Sequence, residues 1–163
     1  MKVIFLDIDG VLNVRRHGRD RFGSLFHSQF VKNLKQLIIK TNAKIVISSS
    51  WRFNGLDEMQ KMWIERELPG EVIGITPFTA QYEATESASF MDRCKRGCEI
   101  REWLKTHPVD SYVILDDDND MLQSQQSNFV RCSNNFDCKD HIEGYGLTKN
   151  RTEIAINILN KFN

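Results

Sequence analysis

Residues 2–13, KVIFLDIDGVLN, join an apolar run to an acidic end. Residues 3–6 predict a buried strand, and Asp7 and Asp9 follow it before Gly10 breaks the run. Side chains two positions apart lie on one face of a strand, so the two carboxylates meet at its tip, where each raises the cost of ionising the other. We therefore expect this pair to bind a cation or to take part in chemistry.

Further apolar runs of strand length follow along the chain: AKIVISSS (43–50), EVIGI (71–75), SYVILDD (111–117) and NFVRCS (128–133). Residues with helical spacing lie between and after them, in SQFVKNLKQLIIKTN (28–42), LDEMQKMWIEREL (56–68), CEIREWLKTH (98–107) and TEIAINILNKF (152–162). We expect the first of these helices to stop at Asn42. Continuous rather than alternating apolarity is typical of strands that are covered on both faces. The pattern predicts an α/β fold in which helices flank a central parallel sheet.

The chain is most simply one domain spanning 1–163, because it has neither an internal repeat nor a linker rich in Pro, Gly or Ser. Two segments interrupt the alternation of strand and helix, residues 13–27 and residues 76–95. The second is long for a connection without secondary structure, which favours a lid or a binding loop. Neither segment is large enough for a full cap domain, so we expect no large cap.

Charge, hydropathy and cysteine content exclude several classes of protein. The formal net charge is zero, which favours neither a protein that coats nucleic acid nor an electrostatic membrane binder. No apolar stretch approaches the ~20 residues of a membrane span and no signal-peptide pattern precedes the first strand, so we expect a cytoplasmic protein without membrane contact. Cys94, Cys98, Cys132 and Cys138 match neither a disulfide framework nor a common zinc motif; reduced thiols are the simpler interpretation and a zinc site the alternative.

Polar side chains collect where three of the predicted strands end. Besides Asp7 and Asp9 after the first strand, these are Ser48, Ser49 and Ser50 after the second, and Asp116, Asp117, Asp118 and Asp120 after the fourth. Ligands of open α/β sheets bind beyond the carboxyl ends of the strands, so neighbouring strands would bring these groups into one crevice. Carboxylates in such number favour Mg²⁺, a hard cation with oxygen ligands that often shares them with phosphate.

The same motifs resemble, in order, those of the haloacid dehalogenase (HAD) superfamily. FLDIDGVLN (5–13) resembles its first motif, a strand followed by Asp-x-Asp-Gly, IVISSSW (45–51) its second, and VILDDDND (113–120) its acidic fourth. SSWR (49–52), RGCEIREWL (96–104), ILDDD (114–118) and GLT (146–148) look more narrowly like the small HAD-like domains of RNA-repair proteins. Those domains are similar in chemistry to the phosphatase domain of polynucleotide kinase-phosphatases. The resemblance covers nearly the whole chain and implies a Rossmann-like fold.

The resemblance implies that Asp7 attacks the phosphorus of a phosphomonoester and forms an aspartyl-phosphate, which water then hydrolyses. A carboxylate is a competent nucleophile, and Mg²⁺ would remove its repulsion from the incoming phosphate. Asp9 would protonate the leaving oxygen and later deprotonate the attacking water, and its backbone carbonyl would be available to the metal. The alternative is a pair of solvated aspartates at a turn.

The acidic residues of the fourth motif would complete the metal site. The resemblance implies that Asp117 ligates Mg²⁺ directly, together with Asp7 and Asp9, and that Asp116 acts from beside it. We expect Asp118 and Asp120 to face solvent or to cap the short helix after them. The alternative for Asp117 is that it also helps to cap this helix.

Ser48 would donate its hydroxyl to a phosphate oxygen, with Ser49 as the neighbouring candidate and Gly10 of the first motif grouped with these phosphate-binding residues. The serines would alternatively cap the helix that follows them. A cation of the third motif must neutralise nucleophile and phosphoryl oxygens in the transition state.

RCKRGCEI (93–100) offers Arg93, Lys95 and Arg96 for this role. We favour Arg96, with Lys95 next, although Lys is the usual residue of the superfamily. A solvated basic run is the alternative.

Trp51 and Arg52 follow the serines directly, and we expect them to line the crevice. Arg52 would bind phosphate with two donors, and Trp51 would stack on a base or exclude water, unless it packs in the core. The segment NVRRHGRDRF (13–22) places Arg15, Arg16, Arg19 and Arg21 near the nucleophile. These arginines would hold a polynucleotide backbone or would simply be solvated.

These motifs predict a Mg²⁺-dependent phosphomonoesterase that works through an aspartyl-phosphate. Without a large cap the crevice stays open, which favours a bulky phosphorylated substrate such as a nucleic-acid end. One alternative is a phosphatase of nucleotides or small metabolites, with residues 76–95 as its lid. The other is a catalytically quiet domain that binds phosphate or a partner on the same scaffold.

Overall fold

The structure is a computed structural model that describes residues 1–13, 18–78, 95–132, 144 and 146–161. Its strands are β1 (Lys2–Leu6), β2 (Arg19–Asp20), β3 (Gly23–Ser24), β4 (Lys44–Ile47), β5 (Val72–Ile75), β6 (Ser111–Asp116) and β7 (Phe129–Arg131). Its helices are α1 (Ser28–Thr41), α2 (Leu56–Glu65), α3 (Lys95–Thr106) and α4 (Lys149–Asn160), and two short 3₁₀ helices cover Ser50–Asn54 and Gln123–Asn128. The strands and helices predicted from the apolar runs are all present.

A five-stranded sheet with β1 at its centre forms the middle layer. The strand order is β5–β4–β1–β6–β7, and neighbouring strands are parallel. Leu6 pairs with Ile47 of β4 and with Leu115 of β6, so the carboxyl ends of the three central strands lie level. The chain builds β4 and β5 on one side of β1 and then returns to build β6 and β7 on the other. The crevice beside β1 and β6 is therefore the reversal point at which open α/β sheets bind ligands.

Helices cover both faces of this sheet, as the doubly covered strands predict. On one face, α1, α2 and α4 bury side chains such as Leu34, Met62 and Leu159. On the other face, α3 places Trp103 edge to face against Phe5, with ring centroids 5.3 Å apart. Full burial of each large apolar side chain contributes roughly 1.5–3 kcal/mol. The result is a closely packed support for the polar groups at the sheet edge.

The helix α1 shows how the sequence sets local structure. Phe30, Leu34 and Leu37 recur at helical spacing, and all three are buried against the core. Asn42 follows the helix in the left-handed conformation with φ 53°, and its N–H donates to the carbonyl of Ile38 at 2.8 Å. Asparagine tolerates this conformation better than most residues, so Asn42 ends the helix as predicted.

Among the described residues of 13–27, β2 and β3 form a hairpin that the sequence does not predict. Its strands have two residues each, which is too short for any periodicity to be read from sequence. Asp20 of the hairpin accepts hydrogen bonds from Arg66, which follows α2, at 2.7 and 2.9 Å. These bonds lower the pKa of Asp20 to about 2 and hold the hairpin against the end of α2.

The described residues contain no large cap domain, in agreement with the sequence analysis. Most of the segment predicted to be a lid or a binding loop, residues 79–94, lies outside the described residues. Among the helices of the described ranges, none is both long enough and apolar enough to cross a bilayer.

Candidate active site

Backbone pairing continues beyond the strands and aligns three polar side chains. The N–H of Asp7 donates to the carbonyl of Leu115 at 2.9 Å, and the N–H of Ser48 donates to the carbonyl of Leu6 at 3.0 Å. Asp116 is the last residue of β6. Asp7, Ser48 and Asp116 therefore stand on three neighbouring strands at the same edge of the sheet.

Asp7, Asp116 and Asp117 form a compact acidic cluster at this edge. One carboxylate oxygen from each lies within 4.8 Å of the other two, and all three side chains are buried. Three buried oxygen donors at this separation fit the ligand chemistry of Mg²⁺. Across the described part of the chain, this is the one group of His, Cys, Asp or Glu side chains with metal-site spacing.

The pKa values of the three carboxyls reflect the cost of holding their charges together. Burial is the largest cause of the raised pKa of Asp7. Burial, followed by the charge of Asp7, raises the pKa of Asp116 to about 8 and the pKa of Asp117 to about 7. The guanidinium of Arg96 lowers the pKa of Asp7 and of Asp116 but offsets only part of this effect. A divalent cation would offset the remainder, so the electrostatics of the cluster also fit a metal ion.

Arg96 lies in the first turn of α3 and reaches the acidic cluster. Its Nη2 atom is 3.9 Å from Oδ1 of Asp7, and its Nε atom is 3.4 Å from Oδ2 of Asp116. Lys95 is exposed, and Arg93 lies outside the described residues. Of the two described candidates for the cation, the structure brings Arg96 to the carboxylates.

Asp120 fixes the start of the helix that carries Arg96. Its Oδ2 atom accepts from the N–H of Arg96 at 3.0 Å, and its carbonyl accepts from the N–H of Gly97 at 3.1 Å. We expected Asp120 to face solvent or to cap the short helix that follows it. It instead caps α3, because the turn after β6 runs beside the helix start, whereas Asp118 is exposed.

Ser48 and Ser49 are both buried but differ in their partners. The Oγ atom of Ser48 has no hydrogen-bond partner within the described ranges. A buried hydroxyl without a partner costs roughly 1–3 kcal/mol, so this group fits a ligand oxygen at the site. The Oγ atom of Ser49 accepts from the N–H of Trp51 at 3.4 Å, which is the capping arrangement that we held as the alternative. Ser49 also lowers the pKa of Asp7 through a side-chain hydrogen bond.

The carboxylate of Asp9 is exposed and is not a member of the buried cluster. Its Oδ2 atom accepts from Nε1 of Trp51 at 2.8 Å, and its Oδ1 atom accepts from Nδ2 of Asn13 at 2.6 Å. The side chain of Asp9 is therefore occupied by neutral donors, and a metal-ligand role for it rests on its backbone carbonyl, as in the sequence analysis.

Gly10 lies directly against Asp117. Its φ is +73°, and a Cβ atom at this position would stand 2.2 Å from Oδ2 of Asp117. Any side chain at position 10 would displace that carboxylate as well as strain the backbone. This close approach gives Gly10 a part in shaping the acidic cluster, beside the phosphate-binding role expected from the motif.

Arg52 lies in the protein interior rather than along the crevice. It is 2% exposed, and its guanidinium donates to the carbonyls of Thr76, Ser48 and Ser49 at 2.7–2.9 Å. It also forms a buried ion pair with Glu99 of α3 at 2.6 Å. With these donors engaged inside the protein, Arg52 joins the ends of β4 and β5 to α3, which differs from the expected contact with phosphate.

Aromatic side chains lie exposed near the carboxyl ends of β4 and β5. Phe53 is 81% exposed and meets the exposed Phe78 edge to face, with ring centroids 5.8 Å apart. The guanidinium of Arg52 lies 4.2 Å from the centroid of the Phe78 ring and supports it from below the surface. These two phenylalanines received no role in the sequence analysis, because single exposed apolar residues are common in any sequence.

The arginines of the segment 13–22 have different surroundings. Arg15 and Arg16 lie outside the described residues, and Arg19 is exposed. Arg21 forms an ion pair with Glu65 of α2, and its guanidinium lies 4.5 Å from the ring centroid of Phe22. Both described arginines are exposed, and Arg21 is engaged in these contacts at the surface.

The partners that hold the candidate residues carry little signal in the sequence. Asn13 bonds to Asp9, and Glu99 neutralises the buried Arg52. Asn13 carried one usable signal, since it closes the first motif within a helical turn of Asp9. Glu99 carried none, because the contact spans 47 residues.

The cysteines do not contribute to the cluster within the described residues. Cys98 and Cys132 are buried free thiols, and burial raises the pKa of the Cys132 thiol. Cys94 and Cys138 lie outside the described residues, so the zinc alternative stays a prediction.

The fold and the acidic strand ends together define a domain of the HAD superfamily. In a comparison with family models, residues 3–136 match the family described as the HAD domain in Swiss Army Knife RNA repair proteins. The chain belongs to this family, as the narrower motifs led us to expect. Comparisons with curated proteins and with solved structures gave no match. Family membership supports a phosphatase-like role for the site.

Proposed function

We propose that this protein is a Mg²⁺-dependent phosphomonoesterase that works through an aspartyl-phosphate on Asp7. The observation that carries the proposal is the convergence of Asp7, Asp116 and Asp117 within 4.8 Å of one another. Arg96 and the unpartnered hydroxyl of Ser48 stand at the same edge of the sheet. Buried carboxylates next to donors suited to phosphate support a site in which a cation lies between the carboxylates and the phosphate of the substrate.

In the proposed reaction, a carboxylate oxygen of Asp7 forms a bond to phosphorus while the bond between phosphorus and the ester oxygen breaks. Asp9 gives its proton to the leaving oxygen. In the second step Asp9 takes a proton from the water that displaces Asp7 from phosphorus. Asp9 is exposed and lies two residues from the buried Asp7. This exposure supports the division of roles, because the leaving group must depart into solvent and the water must enter from it.

Arg96 and Ser48 act on the transferring group in this proposal. The guanidinium of Arg96 offsets negative charge on Asp7 and on the phosphoryl oxygens as that charge redistributes. The hydroxyl of Ser48 donates to one phosphoryl oxygen and thereby gains the partner that it lacks in the described structure. Their places on α3 and after β4 fix both donors to packed elements, which favours preorganisation.

The metal ion would be held by the carboxylates of Asp7, Asp116 and Asp117, with the backbone carbonyl of Asp9 as a further proposed ligand. The fit rests on the donor set: three buried carboxylates, two of them with pKa values raised to about 7 and about 8, need a compensating cation. When bound, Mg²⁺ supplies charge neutralisation between the nucleophile and the phosphate.

We further propose that the substrate is a phosphate at a nucleic-acid end. The description of the family places such domains in RNA repair proteins, and the described residues include no large cap over the sheet edge. Phe53 and Phe78 offer exposed rings for base stacking, and Arg19 offers an exposed cation for a backbone phosphate. Arg15 and Arg16 keep the role predicted for them from sequence.

The proposal is tested by release of phosphate from an aryl phosphate with Mg²⁺ and with excess chelator. We expect turnover only with the divalent ion, and a loss of at least about 10³-fold in Asp7→Asn, because the variant has no nucleophilic oxygen anion. Asp118→Asn is the matched control, since Asp118 is an exposed neighbour of the cluster. Full activity of Asp7→Asn or of the chelated protein would refute the proposal.

A substrate panel tests the finer claim. It compares oligonucleotides ending in a 3′-phosphate with mononucleotides, sugar phosphates and phosphopeptides at matched Mg²⁺. A higher kcat/KM on the oligonucleotide supports the nucleic-acid end. Equal or higher values on small metabolites would assign the same chemistry to a metabolite phosphatase, and phosphate binding without turnover of any ester would assign the domain to binding alone.

A further inference from the structure

Two donors from different parts of the chain hold the side chain of Asp9. Nε1 of Trp51 donates to Oδ2 at 2.8 Å, and Nδ2 of Asn13 donates to Oδ1 at 2.6 Å. Both oxygens are engaged, yet each retains a free lone pair, because a carboxylate offers about four acceptor positions. The plane of the carboxylate is thus fixed while it keeps positions that can carry a proton.

The indole of Trp51 is in turn held by its own neighbours. Its ring lies 5.8 Å from the ring of Phe26 and 5.6 Å from the guanidinium carbon of Arg66. Gly23 of β3 packs so closely that a Cβ atom there would stand 3.0 Å from Cη2 of the indole. The hairpin and the end of α2 therefore set the direction in which the indole N–H points.

We propose that Trp51 is a positioning residue that orients Asp9 for proton transfer to the leaving oxygen. This inference rests on the proposed function and gives Trp51 a role other than stacking on a substrate base. Proton transfer requires the acid within hydrogen-bond distance of its partner, and a displacement of ~1 Å in a catalytic group can cost about 10²-fold in rate. An exposed carboxylate without these two donors would be free to rotate away from the leaving oxygen.

The dependence of kcat/KM on the leaving group tests the role of Trp51, because a purely structural role would affect all esters alike. An aryl ester of an acidic phenol can release a phenolate, which leaves without a proton, whereas an alkyl ester releases an alcohol whose oxygen must take a proton from Asp9. The value of kcat/KM covers the steps up to the first irreversible one, here transfer of the phosphoryl group to Asp7, so hydrolysis of the aspartyl-phosphate does not mask the difference. The ratio of alkyl to aryl kcat/KM therefore isolates the acid role of Asp9.

The decisive variant is Trp51→Phe, which removes the indole N–H and keeps an aromatic ring against Phe26. We expect the ratio of alkyl to aryl kcat/KM to fall by about tenfold, in the same direction as in Asp9→Asn. Trp63→Phe is the matched control, because Trp63 also packs near Phe26 and donates its indole N–H to the carbonyl of Pro69 at 3.0 Å. We expect this control to leave the ratio unchanged, because Trp63 makes no hydrogen bond to Asp9. A fall in the ratio in both variants would show that loss of any indole hydrogen bond in this core is enough to disturb the site.

A measurement without turnover tests the contact itself. The chain has three tryptophans, so a nitrogen–proton correlation spectrum shows three indole signals. The signal that is missing in Trp51→Phe should shift in Asp9→Asn, because the variant removes the charge of its acceptor. The signals of Trp63 and Trp103 should stay in place.

The outcomes separate this inference from the proposed function. A wild-type protein that turns over neither ester refutes the proposed function and the inference with it. A wild-type protein that turns over both esters, with a ratio that Trp51→Phe leaves unchanged, overturns the inference alone. An indole signal of Trp51 that does not respond to Asp9→Asn also overturns it, whatever the activity.

Discussion

The Nε atom of Arg96 lies 3.4 Å from Oδ2 of Asp116, and this ion pair joins the start of α3 to the end of β6. Arg96 also approaches Asp7, so a single cation serves two carboxylates of the acidic cluster. The Nη1 atom of Arg96 is buried without a hydrogen-bond partner in the described part of the structure. This Nη1 donor is therefore open to a bound anion.

We expect Arg96→Met to lower kcat on an aryl phosphate by roughly 10²–10³-fold, since a positioned donor to the developing charge is lost. Arg96→Lys should recover part of this loss, because Lys restores the charge without the planar set of donors. Lys95→Met is the comparison, and we expect wild-type turnover from it because Lys95 is exposed. Steady-state kinetics decide the matter, and a loss confined to Lys95→Met would transfer the role to that residue.

The acidic cluster makes the stability of the metal-free protein depend on pH. Its carboxyl pKa values are raised above the ordinary 3.8, to about 8 for Asp116 and about 7 for Asp117. Between the ordinary pKa of 3.8 and these raised values, the folded protein binds more protons than the unfolded chain, so the free energy of unfolding falls as pH rises. The contribution of these groups is complete below about pH 4 and is lost as pH passes about 7 to 8.

Mg²⁺ should therefore stabilise the protein more at about pH 8 than at about pH 5.5, because protons compete with the metal for the same oxygens. Thermal melts with and without Mg²⁺ at the two pH values measure this difference. Asp117→Asn should remove most of the increase, and Asp118→Asn should keep it. An equal shift in Tm at both pH values would show that the ion binds elsewhere.

The buried ion pair of Arg52 and Glu99 should control stability. Both side chains are 3% exposed and lie 2.6 Å apart. Arg52→Met leaves the charge of Glu99 buried without its partner, so we expect the free energy of unfolding to fall by about 3–5 kcal/mol. Urea denaturation monitored by circular dichroism measures it, with Arg19→Met as the exposed control. Unchanged stability with lost turnover would instead return Arg52 to phosphate binding.

The exposed ring of Phe53 should affect long substrates alone. Stacking of one base on an aromatic side chain contributes roughly 1–3 kcal/mol, so Phe53→Ala should lower kcat/KM on a phosphate-ended oligonucleotide by about 5-fold to 150-fold. Turnover of an aryl phosphate should change little. Ile39→Ala tests for a general effect, because Ile39 is 66% exposed but lies on α1. Equal losses on both substrates would show that Phe53 supports the fold of the site rather than a base.

The strands and helices could be predicted because their signals are local. The continuous apolarity of residues 3–6 and 45–47 can be recognised without knowing their partners, and the same holds for the helical spacing around Leu34. The approach of Asp7 to Asp116 and Asp117 could be predicted as well, because parallel strands bring their carboxyl ends to one edge, whereas the carboxylate of Asp9 turns out of this group. Features that depend on local patterns can therefore be predicted from the sequence.

Contacts between distant residues could not be predicted in this way. The bond from Trp51 to Asp9 joins positions 42 residues apart, and no spacing rule relates them. The position of Arg52 directly after the serines predicts that it lines the crevice, but it is buried against Glu99, which lies 47 residues away on α3. Burial of a charge depends on compensation that only the folded chain supplies.

The start of α3 is held in place by the residues that follow β6. Gln125 donates to the carbonyl of Gly97 at 2.8 Å, and a Cβ atom on Gly97 would stand 2.5 Å from the backbone nitrogen of Leu122. These contacts, with the cap from Asp120, set the position of Arg96 from its C-terminal side. A substitution at Gln125 or Gly97 should therefore move the guanidinium of Arg96 away from the acidic cluster, although neither residue touches a carboxylate of that cluster.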